Sequence, residues 1–447
     1  MISILQKALT LNKIYFNFVL RTIHLLKVEF TDYNPDWINL YNKEKELIVK
    51  ALGNIPHQIR HVGSTSVPGL GAKPVIDILL GINSFSELPN IIPVLNNLGF
   101  EYRNFEHLIP QWAYFTKPSY CHVHCVEVTS DFYRRQIVFR DYLRVHDDIR
   151  DEYYSIKKEL AQIDWENPTD YSEAKDDFIR SIEKKAVEYI TNKIETAEAV
   201  KFSEVYCLAP AQVQIESNIS YENFGPAIFQ SAITQPSDIS NRVMNLGIFE
   251  EADESFIDFM IDYFSSANSK EINIQLSPIA MPENLLDLLW KKGFFHSGNV
   301  SRFYRDTFSV PVLQTDFEVK EIDEEQASVF GKLVEPERIN LFTHPIGKQN
   351  WHFYIVLDKG KAIAAACMYI HEDTAWFGWA ATLEKYKNKG AQSALIAKRI
   401  IDAKNLGCKW ITSTTSGDEK NASYHNLMKF GFNLMFKRPV FLYKQNK

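Results

Sequence analysis

The sequence predicts a mixed α/β (α+β) protein of several domains, with mixed β-sheets flanked by helices. Two segments and one internal repeat lead to this prediction. The segment 376–404 passes from a strand-like stretch through a cationic glycine loop into a helix-like stretch. The segment 61–78 passes from a glycine-rich turn into a buried strand. The repeat aligns two strand–helix alternations at an offset of 138 positions, which places Gly293 on Gly431.

Length and composition describe a globular chain with more than one hydrophobic core. The 447 residues exceed what one ordinary core covers, and this length predicts roughly three domains. The hydrophobic fraction of 45% and the charged fraction of 23% are typical of folded globular proteins. The formal net charge of −7 argues against a dedicated nucleic-acid binder, whose surface would be cationic.

Residues 1–27 form a leader or extension to which we assign no fold. They carry four basic residues and no acidic ones. They lack a continuous apolar run of about 18 residues, so we expect no membrane-spanning helix there. The five cysteines, at positions 121, 125, 207, 367 and 408, are scattered and odd in number. We therefore expect a cytoplasmic protein without a disulfide framework.

The turn in the segment 61–78 combines groups that bind anions. Backbone N–H groups and hydroxyls of such a turn can hold a phosphate, and a lysine adds charge. The candidate phosphate- or nucleotide-binding residues are Gly63, Ser64, Thr65, Ser66, Lys73 and Asp77. The alternative interpretation is a rigid turn with a capping serine.

Asp77 also stands where a strand can present a carboxylate to a metal ion such as Mg²⁺. The candidate metal ligands are Asp77, His122 and His124. Strand geometry places the two histidines on one face and Glu127 on the other. Two histidines on one strand face are more often a hydrogen-bonded structural pair than metal ligands, and this is the alternative.

The first part of the chain resembles the GrpB family in four places: residues 33–37, 61–78, 122–124 and 139–144. That family is assigned to the nucleotidyltransferase-like fold, and the resemblance places this domain at 28–195. Active nucleotidyltransferases pair Gly-Ser with two carboxylates, but here Leu79 follows Asp77-Ile78. We therefore expect a phosphate- or nucleotide-binding module. An active nucleotidyltransferase is the competing interpretation.

The segment 376–404 predicts a second anion site, because a lysine-rich loop leads into a helix. The first N–H groups of a helix lack intrahelical acceptors and attract anions. Gly390 lets the backbone approach a ligand closely. The alternative is an exposed loop with solvated lysines.

Residues 387–392 resemble the Arg/Gln-x-x-Gly-x-Gly/Ala pyrophosphate loop of the GNAT acetyltransferases, and residues 421–432 resemble a later motif of that family. Lys387 and Gln392 depart from the usual residues at the two ends of the loop. The resemblance places this domain at 312–447 and implies acetyl-CoA as cofactor and a small-molecule amine as acceptor. It implies coenzyme contacts at Ala380, Ala381, Thr382, Lys387, Asn388, Lys389, Gly390, Ala391, Gln392, Ser393 and Asn421.

Catalytic groups are less clearly marked. Many GNAT enzymes use a tyrosine four residues before Gly-Phe as an acid, but Leu427 stands there in this chain. Tyr424, one helical turn earlier, is the candidate acid. Glu372 is one candidate base among several. A non-catalytic small-molecule sensor is therefore the alternative to an enzyme.

The repeat predicts a degenerate GNAT-like half at residues 200–310. The offset of 138 places residues 256–264 on 394–402, both helix-like. It also places residues 249–254 on the loop 387–392, with four carboxylates in place of lysines and glycine. A loop of that charge repels a pyrophosphate. We therefore expect only the second half to hold the coenzyme.

Overall fold

A computed structural model describes residues 26–55, 57–104, 111–118, 120–166, 168–232, 241–334 and 343–445. The chain divides into two compact units, Met1–Ala186 and Val187–Lys447, called unit 1 and unit 2 below. The predicted extension 1–27 lies outside the described residues except for Leu26 and Lys27. None of the described helices combines the length and the apolar character needed to cross a bilayer.

Unit 1 is built on a mixed sheet with helices on both faces. Its strands are β1 Leu26–Lys27, β2 His57–Val62, β3 Ile76–Ile82, β4 Glu101–Arg103, β5 Trp112–Lys117, β6 Cys121–Glu127 and β7 Asp164–Trp165. Its helices are α1 Trp37–Leu52, α2 Leu88–Asn97, α3 Asp131–Leu143, α4 Asp147–Leu160 and α5 Pro168–Glu173. The helix α6, Asp176–Cys207, contains the boundary between the units.

The five-stranded sheet of unit 1 has the order β2-β3-β6-β5-β4, and β3 and β6 are parallel. Alternate residues of β3, from Ile76 to Ile82, join the apolar core that also contains Trp37 of α1. Asp77 therefore points to the opposite face, because successive side chains of a strand alternate. This alternation separates the core of unit 1 from its candidate site.

Unit 2 contains a single sheet of eleven strands among its described residues. The strands are β8 Ile219–Asn223, β9 Ile228–Ala232, β10 Arg242–Met244, β11 Glu271–Gln275, β12 Phe295–Asp306, β13 Glu318–Ile322, β14 Trp351–Asp358, β15 Lys361–His371, β16 Thr374–Thr382, β17 Trp410–Ser416 and β18 Asn433–Lys444. The helices are α7 Ala211–Ser217, α8 Glu254–Ser266, α9 Leu285–Lys291, α10 Ala327–Val334, α11 Ala391–Asn405 and α12 Ala422–Lys429.

The structure repeats its elements at the offset seen in the sequence. Strands β12 and β18 begin and end 138 positions apart, and the bounds of α8 and α11 agree with this offset to within one residue. The strand order is β13-β14-β15-β16-β17-β12-β18-β11-β10-β9-β8. Strand β12 therefore lies beside β17 of the second repeat, and β18 lies beside β11 of the first. The two repeats exchange their last strands at the middle of the sheet.

The middle of this sheet carries buried charges that the helix α6 neutralises. Arg438 of β18 donates to Glu195 and to Glu198, both at 2.8 Å. Arg302 of β12 forms an ion pair with Glu198 at 3.0 Å. All four side chains are almost completely buried. Glu195 and Glu198 thus serve as partners of buried arginines within a continuous helix.

Candidate functional site

The loop between β16 and α11 ends in an exposed helix start. Gly390 is the N-cap of α11 with φ 92°, and none of the described side chains caps this end of the helix. A Cβ atom at Gly390 would have no protein atom within 4 Å. Gly390 therefore leaves open space beside the first turn of α11, where the first N–H groups lack intrahelical acceptors and the helix dipole has its positive end.

The side chains of the loop contact other residues of the loop and the end of β16. Lys387 pairs with Glu384 at 2.6 Å. The ammonium groups of Lys385 and Lys389 lie 5.1 and 5.3 Å from the ring of Tyr386. Nε2 of Gln392 donates to the hydroxyl of Thr382 at 2.9 Å, which ties the first turn of α11 to the end of β16.

A bulge in β16 opens the sheet beside this loop. Two residues, Trp379 and Ala380, face one residue of β15 in the register. Trp379 has φ 43°, an uncommon value for a non-glycine residue. The parallel pairing of β16 with β17 ends at Phe377 and Ser413. From Gly378 onward, the backbone of β16 therefore separates from β17.

A lysine of α6 lies against the aromatic residues at this opening. Lys201 is fully buried, and its Nζ lies 3.8 Å from the ring of Trp376 and 5.4 Å from the ring of Trp379. Burial holds the pKa of Lys201 well below that of an ordinary lysine. Sequence reasoning missed this residue because only the tertiary packing of α6 brings it to the sheet.

Two other residues predicted for this site, Asn421 and Tyr424, lie at the start of α12. Asn421 caps this helix, because its Oδ1 accepts the N–H of Ser423 at 2.8 Å. Tyr424 is buried with its ring edge-on to Phe303, at 4.9 Å between centroids. Among the described residues, its hydroxyl has no hydrogen-bond partner. Burial raises the pKa of Tyr424 to about 12, so the phenol keeps its proton at neutral pH.

The structure places the predicted base Glu372 far from the coenzyme loop. Glu372 lies in the turn before β16, while the loop follows the last residue of that strand. The strand rises roughly 3.3 Å per residue, so about 20 Å separate this turn from the bulge. The bond from Lys193 at 2.7 Å also lowers the pKa of Glu372 and weakens it as a base. We therefore withdraw the assignment of Glu372.

The equivalent helix start in the first repeat is closed by a carboxylate. Asp253 is the N-cap of α8, and its side chain accepts the N–H of Phe256 at 2.8 Å. Glu250, Glu251 and Glu254 surround this end of the helix in sequence. The same structural position therefore carries an open cationic loop in one repeat and a self-capped acidic loop in the other.

Unit 1 contains a cavity of 540 Å³ on the face of its sheet that carries Asp77. Gly63, Ser64, Thr65, Lys73 and Asp77 line it, as do His122 and His124. Ser66 of the predicted anion-binding set is absent from this lining, and its hydroxyl donates to the carbonyl of Gly63 at 2.6 Å. The cavity also receives Lys157 and Lys175, which sequence reasoning did not single out.

Two arginines at the end of α3 donate hydrogen bonds to the backbone of the turn that lines the cavity. Arg140 donates to the carbonyl of His61 at 2.9 Å, and Arg144 donates to the carbonyl of Ser66 at 2.8 Å. Thr65 is buried, with its hydroxyl 3.0 Å from Nε2 of His61. The hydroxyls of Thr65 and Ser66 thus serve the turn itself, whereas Ser64 lines the cavity.

Gly63 is required where the turn meets Asp77. Its φ of 67° and ψ of −177° belong to glycine. A Cβ atom at this position would lie 2.3 Å from Oδ2 of Asp77. The absence of a side chain at Gly63 thus allows the carboxylate to approach the turn.

The three predicted metal ligands meet in this cavity, but they do not suit Mg²⁺. Nδ1 of His122 and Nε2 of His124 lie 3.4 and 3.7 Å from Oδ1 of Asp77. Mg²⁺ requires mostly oxygen ligands. Throughout the described ranges, no group of three His, Cys, Asp or Glu side chains is placed to hold a metal ion. We therefore withdraw the magnesium assignment.

The histidines instead act on the charge of Asp77. Burial alone would raise the pKa of this carboxyl, but the contacts with His122 and His124 outweigh burial and hold the pKa below its usual range. Glu127 points away, as predicted, and accepts the N–H of Phe85 at 2.7 Å. Asp77 is therefore a carboxylate at neutral pH.

These features define a chain that joins an α/β unit with a lysine-lined cavity to a unit with an open helix start at Gly390. Residues 27–185 match the family model described as GrpB protein, and residues 318–432 match the Acetyltransferase (GNAT) family. A UPF0157 protein of Halalkalibacterium halodurans is 35% identical over 167 residues, which are 36% of this chain and 84% of that protein. The chain belongs to the GrpB family in its first part and carries a GNAT domain in its last. Both predicted resemblances are thus confirmed.

The chain is also similar to the following proteins and solved structures. The glutamate-rich protein GrpB of Alkalihalophilus pseudofirmus is 30% identical over 35% of this chain and 94% of its own length. The crystal structure of GrpB from Enterococcus faecalis is 32% identical over 35% of this chain and 96% of its own, with TM-score 0.33. A GCN5-related N-acetyltransferase from Kribbella flavida is 12% identical over 53% of this chain and 95% of its own, with TM-score 0.42.

Replacing Gly63 by alanine tests the close approach of Asp77. We expect Gly63→Ala to lower the free energy of unfolding by about 1–3 kcal/mol more than Gly53→Ala, measured by urea denaturation. Gly53 is the control, because it also has a positive φ, 54°, but open space around its Cβ position. Equal losses in the two variants would show that the contact with Asp77 does not matter.

Proposed function

We propose that this chain is an acetyl-CoA-dependent N-acetyltransferase that acts on a small-molecule amine. We further propose that unit 1 binds a phosphate group or nucleotide in its cavity. The observation that carries the first proposal is the open helix start at Gly390, set against the carboxylate cap of Asp253 at the equivalent position. The five cysteines are free, which supports a cytoplasmic location.

The helix start of α11 suits the diphosphate of a coenzyme. The residues that would hold it are those of the loop and first turn, from Lys387 to Ser393. Hydrogen bonds from backbone N–H groups to a charged acceptor contribute about 1.5–3 kcal/mol each. The helix dipole adds about 0.3–1 kcal/mol. Since Gly390 leaves open space, the diphosphate can reach the amides directly.

The bulge in β16 suits the reacting end of the coenzyme. Acetyl-CoA supplies the acetyl group as a thioester. Backbone N–H groups from Gly378 onward, where β16 leaves β17, can donate to the acyl oxygen and stabilise its developing negative charge. The acceptor amine can then attack directly, so that an N–C bond forms as the C–S bond breaks. No side-chain nucleophile is needed.

Tyr424 is the proposed acid for the departing thiolate. Its hydroxyl is protonated at neutral pH because burial raises its pKa to about 12. It has no hydrogen-bond partner among the described residues that would hold its proton elsewhere. We assign no residue as base, since Glu372 lies at the other end of β16.

We propose that residues 200–310 and 312–447 are two GNAT-like halves and that residues 28–195 form the GrpB domain. The matching element bounds and the exchanged strands β12 and β18 support this division. The first half then has a structural role, because Asp253 occupies the helix start that a coenzyme needs. Its last strand completes the sheet of the second half beside β17.

A second candidate function is a non-catalytic acetyl-CoA or small-molecule sensor. Two observations favour it: Leu427 replaces the usual acid, and Lys201 with Trp376 fills space beside the opened strand. Binding of acetyl-CoA without turnover across a panel of amines would support the sensor. An active nucleotidyltransferase is disfavoured, because Asp77 lies beside two histidines, and within the described residues no group of three His, Cys, Asp or Glu side chains is placed to hold a metal ion.

Gly390→Glu should abolish binding of acetyl-CoA, because a carboxylate at the helix start repels the diphosphate. We expect Kd, measured by calorimetry, to rise at least about a hundredfold, as two lost charged hydrogen bonds require. Gly407→Glu is the control, since Gly407 also has positive φ and open space but lies beyond the other end of α11. Unchanged affinity in Gly390→Glu, or wild-type failure to bind acetyl-CoA, would contradict the proposal.

Tyr424→Phe separates the acid from the binding site. We expect kcat to fall about a hundredfold while Kd for acetyl-CoA stays unchanged, because the hydroxyl acts only as the thiolate leaves. The free energy of unfolding should not decrease, since the buried hydroxyl has no described partner to lose. An unchanged kcat in steady-state assays with an accepted amine would exclude Tyr424 as the acid.

A further inference from the structure

Four lysines and two carboxylates line the cavity of unit 1, which gives it an excess of positive charge. The lysines are Lys27, Lys73, Lys157 and Lys175, and the carboxylates are Glu29 and Asp77. Asp77 is already engaged by two histidines. The volume of 540 Å³ falls within the range of roughly 300–1,000 Å³ that is usual for small-molecule sites. An enclosed space of this charge attracts an anion.

Lys157 is the most deeply buried of these lysines. Only 2% of the residue is exposed. Its ammonium group donates to the carbonyl of Gly71 and lies 4.6 Å from the ring of Tyr153. An ammonium group has three donors, so this one has capacity left. Within the described residues, no carboxylate lies in ion-pair distance of Lys157.

Lys175 lies in the short connection between α5 and α6 and also lacks an acidic partner. Its ammonium group lies 3.9 Å from the ring of Tyr171. In the part of the chain that the structure describes, no carboxylate approaches it within 4 Å. Burial lowers the pKa of Lys157 to about 6 and that of Lys175 to about 8. In the empty cavity at pH 7, Lys157 is therefore mostly uncharged, whereas Lys175 is mostly charged and loses its proton between pH 7 and 9.

We propose that Lys157 and Lys175 bind a phosphate or diphosphate group, free or on a nucleotide, and that protons are taken up when it binds. This inference rests on the phosphate site proposed above for unit 1. It adds the two side chains that carry the charge and the dependence on pH. Ser64 and Lys73 then contact the anion from the turn, opposite the two lysines.

The direction of the pH dependence follows from the charges. A bound anion favours the ammonium form and raises the pKa of both lysines, so binding weakens as pH rises. The other titratable groups near them are Lys27, Glu29, Lys73, Asp77, Tyr114, His122, His124, Tyr153, Tyr171 and Asp176. A window from pH 7 to 9 lies above the usual range of histidine and below that of tyrosine.

Calorimetric titration of the full chain with ATP and with pyrophosphate, from pH 7 to 9, tests the inference. We expect affinity to fall at least about tenfold over this window, with uptake of protons detected in buffers of different ionisation enthalpy. Lys157→Met and Lys175→Met should each weaken binding about tenfold or more, and the double variant should lose the pH dependence. Lys158→Met is the control, since Lys158 lies exposed on the same helix and outside the cavity.

Sulfate provides a second measurement, because its charge stays constant between pH 7 and 9. We expect sulfate to raise Tm of the wild type above that in sodium chloride of equal ionic strength, and more at pH 7 than at pH 9. The double variant should lose the part of this rise in Tm that comes from binding at the site. It should keep any rise that comes from general salting-out by sulfate. In chloride, a Tm of the double variant equal to that of the wild type would show that the double variant folds.

The outcomes separate the two proposals. Binding of ATP or pyrophosphate by the wild type, with affinity changed less than twofold in the double variant, would overturn the role of the lysines and leave the phosphate site. Failure of the wild type to bind any of the three anions would overturn both. Tighter binding of ATP than of pyrophosphate would identify a nucleotide as the ligand.

Discussion

Two arginines at the centre of the long sheet determine how unit 2 is assembled. Arg302 and Arg438 stand on the exchanged strands β12 and β18, where no water can reach their charges. Glu195 and Glu198 of α6 supply the neutralising carboxylates. Removing one member of such a buried set costs about 3–5 kcal/mol, because the remaining charge has no partner. These buried ion pairs therefore hold α6 against the sheet, in addition to apolar packing.

This constraint reaches the proposed active site. The same helix carries Lys201 to the aromatic residues beside the bulge in β16, two turns or less from the ion pairs. The strand exchange has a similar effect, because β17, which borders the opening, pairs on its other side with β12 of the first repeat. The proposed acetyl-transfer site thus depends on elements that come from outside the GNAT domain itself.

Local sequence patterns predicted those features of both sites that depend only on the local backbone structure. The open helix start at Gly390 and the single face of His122 and His124 follow from glycine placement and strand alternation. The repeat offset predicted that residues 256–264 and 394–402 correspond as helices, and β12 and β18 lie at the same offset in the structure. The position of Glu372 was misjudged, because turn residues near a strand in sequence can lie at its far end.

Residues that meet only through tertiary packing were missed. Lys157 offered one signal: it shares the buried stripe of α4 with Tyr153, where an apolar residue would be usual. Lys175 and Lys201 offered no such signal, since lysines are ordinary on protein surfaces. Glu195 and Glu198 of α6 were not singled out either, although both are partners of a buried arginine. Such pairings join residues more than 100 positions apart and leave no periodic pattern.

A crystal structure of the chain with bound acetyl-CoA tests the central claim most directly. The account predicts that the diphosphate contacts the backbone N–H groups from Gly390 to Ser393, with the thioester beside the bulge at Gly378. It also predicts that the helix start capped by Asp253 holds no coenzyme. A diphosphate at Asp253, or in the cavity of unit 1 instead of at Gly390, would contradict it.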